Sequence, residues 1–364
     1  MTETPLPDLE AILLVGGQGT RLRPLTLGTP KPLLPTAGVP FLAHQIARAR
    51  AFGVRRIVFA TSYRAEMFSE AFGDGEAFGL SLEYMTEEIP LGTGGAIRNA
   101  SAALTSGPDD PVLVLNGDVL SGHDIGDQIA THVARRAAVT LHLTEVEDPS
   151  RFGCVPTDSQ GRVTAFLEKT PNPVTNRINA GCYVFTRSVI DTIPVGEVVS
   201  VERQTFPRLI EQGALVLGYA DASYWLDVGT PSAFVQGSRD LVLGRLASPA
   251  LPGPTGDFLA LPGAMISPEA EVSGGSVIGA RAIVEAGAQV RGSVLGDDCV
   301  VDAAAVVVDS VVGIGARIEC GAVLRDVVVG DGAVVGPGNE LLAGSRVWPG
   351  VVLPESAIRF SSDI

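Results

Sequence analysis

The sequence is poor in residues on which several common classes of protein depend. Only two of its 26 basic residues are lysines, and 364 residues include just four histidines and four cysteines. No pair of cysteines has CxxC spacing, so we expect small buried or half-buried thiols rather than disulfides or a zinc site. The histidines form no catalytic-looking cluster, which is typical of structural or solvated positions. The cysteines are Cys154, Cys182, Cys299 and Cys320, and the histidines are His44, His123, His132 and His142.

An excess of positive charge is also missing. The formal net charge is -15, and a nucleic acid or an anionic membrane surface needs a concentrated positive field, so we expect neither as a partner. No segment approaches the roughly 20 apolar residues of a membrane span. Residues 1–9 lack a basic region leading into an apolar segment. We therefore expect a cytoplasmic protein that holds small anions with a few placed basic groups.

A glycine-rich loop directly after an apolar run supplies such groups. The segment Val15–Pro35 reads VGGQGTRLRPLTLGTPKPLLP. It lacks the Gly-Lys-Ser/Thr ending of a Walker A loop, and Leu22 stands where a dinucleotide fingerprint has its third glycine. Its backbone N–H groups can surround phosphate oxygens, while Arg21 offers a forked donor and Lys31 a mobile charge. The loop residues predicted to bind a nucleotide are Gly16, Gly17, Gly19 and Thr20.

Two aspartates follow predicted strands. Asn116-Gly117-Asp118 ends a strongly apolar run, and Asp227 precedes a predicted helix that has Thr230 as its cap and Pro231 at its first position. Two such carboxylates are suited to a hard cation such as Mg²⁺. Each motif taken alone is equally consistent with an ordinary turn, and only the phosphate loop beside them favours the metal.

Apolar runs alternate with helical patterns through residue 245, which predicts an α/β domain over residues 1–245. The predicted strands include Ala11–Val15, Ile57–Ala60, Leu82–Met85, Val112–Leu115 and Val139–Leu143, and the predicted helices include Pro40–Phe52 and Gly94–Leu104. Residues 246–264 are rich in proline and glycine and are predicted to be a linker or a strapped connection.

Residues 265–364 follow a different rule. Fourteen aliphatic residues recur from Ile278 to Leu353, at steps of six, six and five for three turns and of six thereafter. A glycine follows the first aliphatic residue of each turn, at Gly279, Gly296, Gly313 and Gly330, where a tight corner favours a residue without a side chain. This 17-residue period predicts a parallel β-helix of hexapeptide repeats.

The segments GGQGTRLRPLTLGTPKPLLP, NGDVL, RFGCV, FLEKT, NAGCYVF and WLDVGT, in this order, resemble those of the sugar-1-phosphate nucleotidylyltransferases. The resemblance implies a Rossmann-like mixed-sheet catalytic domain over 1–245, followed by a left-handed β-helix over 265–364. Within the family it extends to the bacterial branch that uses GTP and mannose-1-phosphate. The family's reaction joins a sugar-1-phosphate oxygen to the α-phosphorus of a nucleoside triphosphate and releases pyrophosphate.

Roles for individual residues follow from the resemblance. It implies that Arg21 and Lys31 hold the triphosphate, Asp118 and Asp227 hold Mg²⁺, and Lys169 contacts the sugar phosphate. It also implies that the sugar is bound by Gly153, Glu168 and Asn179, and the nucleotide by Asn116, Gly92 and Thr93 in addition to the loop. Thr170 stands where the family commonly has proline.

The resemblance also implies that the segment Tyr84–Gly94 lies where the family contacts the nucleobase. Guanine presents adjacent N1–H and N2–H donors, and a carboxylate offers two acceptors that match them. Glu87, or failing that Glu88, is therefore the predicted guanine-selecting residue. Two exposed glutamates before a turn are the alternative interpretation.

Three other functions compete with this one. An acyltransferase is disfavoured because residues 264–364 contain no histidine or lysine. A regulatory subunit that binds nucleotide sugars without turnover is disfavoured by the retained basic residues and carboxylates. A glucose-1-phosphate uridylyl- or thymidylyltransferase is the alternative among enzymes. The β-helix, with flat faces and open ends, is predicted to mediate self-association into a homo-oligomer.

The two lysines generate a first prediction. We expect Lys31→Arg and Lys169→Arg each to remove most of the turnover, although arginine is the basic residue used elsewhere in the chain, because a planar fork does not replace a compact ammonium. Steady-state rates of pyrophosphate release measure this effect. Near-normal rates in both variants would mean that the positions of the lysines have no mechanistic meaning.

Overall fold

A computed structural model describes residues 9–62, 64–167 and 173–359. The chain divides into two compact units. We call residues 9–17 and Gln45–Trp225 the sheet unit, and residues Gln18–His44 and 226–359 the solenoid unit. Within the described ranges, no helix combines the length and the apolar character needed to cross a membrane. The domain boundaries at residues 245 and 265 stay a prediction.

The helices and the first strands match the predicted alternation. The helices of the described residues are α1 (Phe41–Ala51), α2 (Ala65–Phe72), α3 (Gly92–Ala100), α4 (Ile125–Arg135), α5 (Arg187–Asp191), α6 (Phe206–Glu211) and α7 (Pro231–Val242). The strands that precede α7 are β1 (Leu9–Leu14), β2 (Pro35–Thr36), β3 (Val39–Pro40), β4 (Val54–Thr61), β5 (Ser81–Thr86), β6 (Pro111–Asn116), β7 (Val119–Ser121), β8 (Val139–Glu145), β9 (Arg177–Thr186), β10 (Val216–Ala220) and β11 (Trp225–Asp227).

A seven-stranded mixed sheet forms the centre of the sheet unit, in the order β10-β8-β9-β6-β1-β4-β5. Strand β9 runs antiparallel to both of its neighbours, and the other pairs are parallel. Aliphatic and aromatic side chains such as Ile12, Val114 and Tyr183 are fully buried. The mixed α/β sheet and all five predicted strands are therefore confirmed.

One predicted helix begins earlier than expected. The helix predicted from Gly94 begins two residues earlier, because Gly92, Thr93 and Gly94 form the first turn of α3. A Cβ atom on Gly92 would lie 2.7 Å from the Val199 carbonyl oxygen, and one on Gly94 would lie 2.8 Å from Val199 Cγ1. The glycines thus allow the helix to pack closely, and they do not break it.

The solenoid unit contains the predicted parallel β-helix. Its strands are β12 (Phe258–Ala260), β13 (Met265–Ile266), β14 (Glu271–Ser273), β15 (Ser276–Ile278), β16 (Ile283–Val284), β17 (Gln289–Arg291), β18 (Val294–Leu295), β19 (Val300–Val301), β20 (Val306–Val308), β21 (Val311–Val312), β22 (Arg317–Ile318), β23 (Val323–Arg325), β24 (Val328–Val329), β25 (Val334–Val335), β26 (Glu340–Leu342), β27 (Arg346–Val347) and β28 (Val352–Leu353). They form three parallel sheets, and the predicted aliphatic residues face the shared core, with Leu353 partly buried at the end. The left-handed β-helix of hexapeptide repeats is confirmed.

The β-helix has a coil that the periodicity did not reveal. Strand β12 lies inside the proline- and glycine-rich segment and pairs with β15. Its register matches Ala260 with Ile278, one residue more than the 17-residue period. The longer spacing and the surrounding prolines hide this coil in the sequence.

The four repeated glycines form a column, for a reason other than the predicted one. None of them has a positive φ. A Cβ atom on Gly296 would lie 2.7 Å from the backbone nitrogen of Ile314, and one on Gly313 would lie 2.6 Å from that of Asp331. Glycine is required because the backbones of successive coils approach too closely for any side chain.

Candidate active site

The carboxyl ends of β1 and β6 meet at one edge of the sheet. Leu14 is paired with Asn116, and the Gly117 N–H donates to the Leu14 carbonyl oxygen at 2.9 Å. A Cβ atom on Gly117 would lie 2.6 Å from that oxygen. The loop that starts at Gly16 and the turn that carries Asp118 therefore begin side by side, as parallel strands predict.

The first glycines of the loop present exposed backbone at this edge. Gly16 and Gly17 are both exposed, and nothing lies within 4 Å of a Cβ atom placed on Gly17. The Ser62 hydroxyl donates to the Gly16 carbonyl oxygen at 2.9 Å. This hydrogen bond fixes the start of the loop, and sequence reasoning missed Ser62.

The rest of the loop, in the solenoid unit, turns tightly around Lys31. Gly19 has a φ of 59°, and a Cβ atom on it would lie 2.9 Å from the Cβ of Lys31. The following 3-10 turn, Thr20–Leu22, buries Leu22 and leaves Arg21 exposed. The Thr26 hydroxyl closes the loop by donating to the Gly19 carbonyl oxygen at 2.8 Å.

Three residues that were predicted separately lie together in the solenoid unit. Lys31 Nζ is 3.9 Å from Asp227 Oδ1. A Cβ atom on Gly229 would lie 2.9 Å from Arg21 Nη2 and 3.2 Å from Asp227 Oδ1. The group joins two cations, which suit phosphate oxygens, to a carboxylate that suits a metal ion.

The turn that carries Asp227 is fixed by the start of α7. Thr230 is the N-cap residue, its hydroxyl oxygen accepts from the Ala233 N–H at 3.2 Å, and Pro231 is the first helical residue. The predicted cap is confirmed. It ends β11 at Asp227 and leaves Gly229 in contact with Arg21.

The predicted guanine-selecting carboxylate is partly without a partner. Glu87 Oε2 accepts from the Leu91 N–H at 3.3 Å, whereas Glu87 Oε1 is buried with no hydrogen-bond partner in the described structure. Burial raises the pKa of Glu87. Glu88 is exposed, so Glu87 is the better placed of the two for a directed contact.

Thr93 has partners within the protein. Its hydroxyl donates to Glu202 Oε2 at 2.8 Å and accepts from the Val201 N–H at 3.0 Å. Its predicted contact with a nucleotide therefore has to use the backbone of the first turn of α3, beside Gly92.

The predicted sugar-binding residues are only partly described. Glu168 and Lys169 lie outside the described residues. Gly153 has a φ of 79° after a short 3-10 turn. Asn179 donates to the buried Tyr183 hydroxyl at 2.8 Å and accepts from the Gly181 N–H at 3.1 Å. The Asn179 side chain is thus held rigidly at the end of β9 nearest residue 177.

Sequence reasoning missed an aromatic pair beside these residues. Phe152 and Trp225 form an edge-to-face contact with their ring centroids 5.5 Å apart. The Trp225 indole N–H donates to the Ala180 carbonyl oxygen at 3.0 Å. The sequence did point to these two residues, since Phe152 lies within the motif RFGCV and Trp225 begins the motif WLDVGT.

The histidines are structural, as predicted. All four are buried. Burial lowers the pKa of His132 to about 4 and that of His142 to about 4, and burial together with His142 and Arg48 lowers the pKa of His123 to about 2. These groups stay neutral at physiological pH.

Of the cysteines, Cys320 is exposed, against our expectation, and the other three are buried.

Comparison with known proteins adds independent information. Residues 10–242 match the family described as nucleotidyl transferase. The chain belongs to the nucleotidyl transferase family. Residues 264–358 of this nucleotidyl transferase match a second description, the GlmU-like C-terminal hexapeptide.

Named relatives of this nucleotidyl transferase come from several kingdoms. It is 54% identical over 358 residues to the mannose-1-phosphate guanylyltransferase of Mycobacterium tuberculosis, covering 98% of this chain and 99% of that protein. It is 41% identical to the mannose-1-phosphate guanyltransferase of Candida albicans, covering 63% of this chain and 64% of that protein. Among solved structures it resembles HddC from Yersinia pseudotuberculosis, with a TM-score of 0.56 and 26% identity over 64% of this chain and 99% of that one; one such structure is a complex with GMP-PN.

Members of this family typically use a divalent metal ion. Among the described residues, no group of three or more histidines, cysteines or acidic residues is arranged to hold one. Asp118 is half-buried, and the Asp227 side chain is 28% exposed. Because Mg²⁺ is commonly bound by one or two carboxylates together with substrate phosphates, an aspartate at either position suits such an ion without a larger protein cage.

The contact between Arg21 and Gly229 generates a second prediction. Gly229→Ala would place a Cβ atom 2.9 Å from Arg21 Nη2, and the flexible guanidinium would move away from the turn. We expect turnover to fall about 100-fold, the cost of a misplaced substrate-holding group, with little change in the free energy of unfolding. Gly28→Ala is the matched control, because nothing lies within 4 Å of its Cβ position. Equal kcat/KM values for the two variants would contradict a role for this Arg21 position.

Proposed function

We propose that this nucleotidyl transferase forms GDP-mannose and pyrophosphate from GTP and mannose-1-phosphate. The observation that carries the proposal is the grouping of Arg21, Lys31 and Asp227. Support also comes from 54% identity, over nearly the full length, to a protein named for this activity.

The reaction needs fixed positive charge more than proton transfer. A phosphate oxygen of the sugar phosphate bonds to the α-phosphorus, the bond to the β-phosphate bridging oxygen breaks, and pyrophosphate leaves. Arg21 and Lys31 bind the triphosphate oxygens on which charge accumulates. Lys169 binds the attacking phosphate, which is already ionised near neutral pH, so no histidine base is required.

Asp118 and Asp227 are the residues proposed to hold Mg²⁺. When bound, the ion neutralises charge on the phosphoryl oxygens. The ion pair of Asp227 with Lys31 keeps the ammonium beside the metal carboxylate. The proposed phosphate-binding and metal-binding groups of the solenoid unit are thereby held in one arrangement.

The sugar and the oligomer complete the proposal. Gly153, Glu168 and Asn179 are proposed to bind the mannosyl hydroxyls, since a carboxylate and an amide offer the acceptors and donors that a polyol needs.

The β-helix is proposed to mediate homo-oligomer formation. Exposed apolar side chains near its last coil support this role, namely Trp348, Val351, Val352 and Ile358.

A substrate panel tests the proposed function. Pyrophosphate release is measured with four nucleoside triphosphates against several sugar-1-phosphates in the presence of Mg²⁺. We expect the highest kcat/KM for GTP with mannose-1-phosphate. A maximum with UTP or dTTP and glucose-1-phosphate would favour the alternative enzyme, and no turnover with any pair would favour a regulatory subunit.

Glu87 generates the prediction for the base. The Glu87 carboxylate is proposed to accept from guanine N1–H and N2–H, and we expect Glu87→Gln to lose most of the preference for GTP over UTP and dTTP. Because burial raises the pKa of Glu87, its charged form is lost on acidification at a higher pH than for an ordinary glutamate. We therefore expect kcat/KM for GTP to fall from neutral to mildly acidic pH more steeply in the unaltered protein than in Glu87→Gln. An unchanged base preference would exclude this role of Glu87.

A further inference from the structure

A half-buried glutamine contacts the turn that carries Asp118. Gln45, on α1, donates from Nε2 to the Asn116 carbonyl oxygen at 2.9 Å and to the Val119 carbonyl oxygen at 2.7 Å. These two carbonyls flank Gly117 and Asp118 on either side. One side-chain amide therefore spans the whole turn.

The orientation of this amide is fixed by its partners. Both partners are carbonyl oxygens, which only accept hydrogen bonds, so the NH₂ group has to face them. The opposite edge of the turn is fixed too, since Gly117 donates to Leu14 on β1. The turn is held between β1 and α1, and Asp118 within it is half-buried.

The other end of the Gln45 amide faces a small cavity. Gln45 Oε1 and Asn116 Oδ1 are both buried and have no hydrogen-bond partner in the described structure. Both residues line a cavity of about 20 Å³, which is enough for the centre of one water molecule. A water molecule in this cavity would donate one hydrogen bond to each oxygen and complete the link between α1 and the turn.

A second polar residue of α1, Arg48, helps to hold the segment that follows the turn. One helical turn further on, Arg48 donates to the His123 carbonyl oxygen and lies 3.2 Å from His123 Nδ1. Polar side chains that a helix turns toward the protein interior carry a desolvation cost. Here that cost is offset by the hydrogen bonds that fix residues 116–123.

We propose that Gln45 is a positioning residue for the metal carboxylate Asp118. The inference rests on the proposed function, because it assigns to Gln45 the orientation of a residue that the proposal places at the metal. Residues that orient metal ligands through hydrogen bonds typically contribute 10- to 100-fold to metal affinity or activity. Loss of the Gln45 amide is expected to affect metal binding and leave the triphosphate contacts of Arg21 and Lys31 intact.

The test compares two glutamines that each donate to two carbonyl oxygens. Gln45→Met removes the hydrogen bonds to the turn at similar side-chain volume. Gln128→Met is the control, because Gln128 Nε2 also donates to two carbonyl oxygens, those of Thr140 and Cys182, and its Oε1 pairs with His123 Nε2, but it makes no hydrogen bond to residues 116–119. Binding of Mn²⁺ to the GTP-bound protein is measured by electron paramagnetic resonance, GTP binding is measured with a chelator present, and thermal unfolding is followed in parallel.

We expect both variants to lose stability and only Gln45→Met to bind Mn²⁺ more weakly, by about tenfold or more, with metal-free GTP affinity unchanged. Gln45→Glu, which places a carboxylate against the two carbonyls, should give the same result and serves if Gln45→Met does not fold. Equal Mn²⁺ affinity in the Gln45 variants and Gln128→Met would overturn the inference.

The Asp118→Asn variant distinguishes a wrong inference about Gln45 from a wrong proposal for the metal role of Asp118. If Asp118→Asn loses Mn²⁺ binding and the Gln45 variants do not, the inference about Gln45 is wrong and the proposed metal role of Asp118 stands. If Asp118→Asn binds Mn²⁺ as the unaltered protein does, both are wrong.

Discussion

The contact between two cations and the Asp227–Gly229 turn is the constraint on which the candidate site depends. Arg21 and Lys31 come from separate tight turns, and each needs a glycine to approach its neighbour: Gly229 beside Arg21, and Gly19 beside Lys31. The ion pair at 3.9 Å keeps the ammonium close to a carboxylate without closing a short hydrogen bond. In a chain with a net charge of -15, this pairing of two basic groups is the feature on which the proposed anion site rests.

The β-helix could be predicted almost completely because its rule is repeated. The fourteen recurring inward positions all carry aliphatic side chains, so the pattern recurs often enough to be read without any other information. The coil that starts at β12 could not be read, because it departs from the period and is surrounded by prolines. The repeated glycines could be found in the sequence, but the reason for them could not. They are required by the close approach of stacked backbones, and a single sequence does not show how closely two coils approach.

The candidate site was predicted less evenly. Arg21, Lys31 and Asp227 carry chemistry in their side chains, so their motifs point to them, and the structure brings them together. Thr93 belongs to an equally recognisable motif, yet its hydroxyl bonds to Glu202 and Val201, partners more than 100 residues away. Gln45 gave no signal beyond a polar residue one turn before the buried Ala49, because no local pattern records which carbonyls a side chain will reach.

The glycine column also limits how the β-helix can change in length. Because four successive coils carry the same glycine, duplication of one of these coils reproduces its own contacts, and removal of one of them leaves the remaining corners in register. An insertion or deletion of any other length shifts a branched aliphatic residue such as Val312 or Val329 toward a position where the next backbone lies under 3 Å from a Cβ atom. Related β-helices should therefore differ in length by whole coils. Insertions of other lengths should occur only at corners that do not carry one of the column glycines.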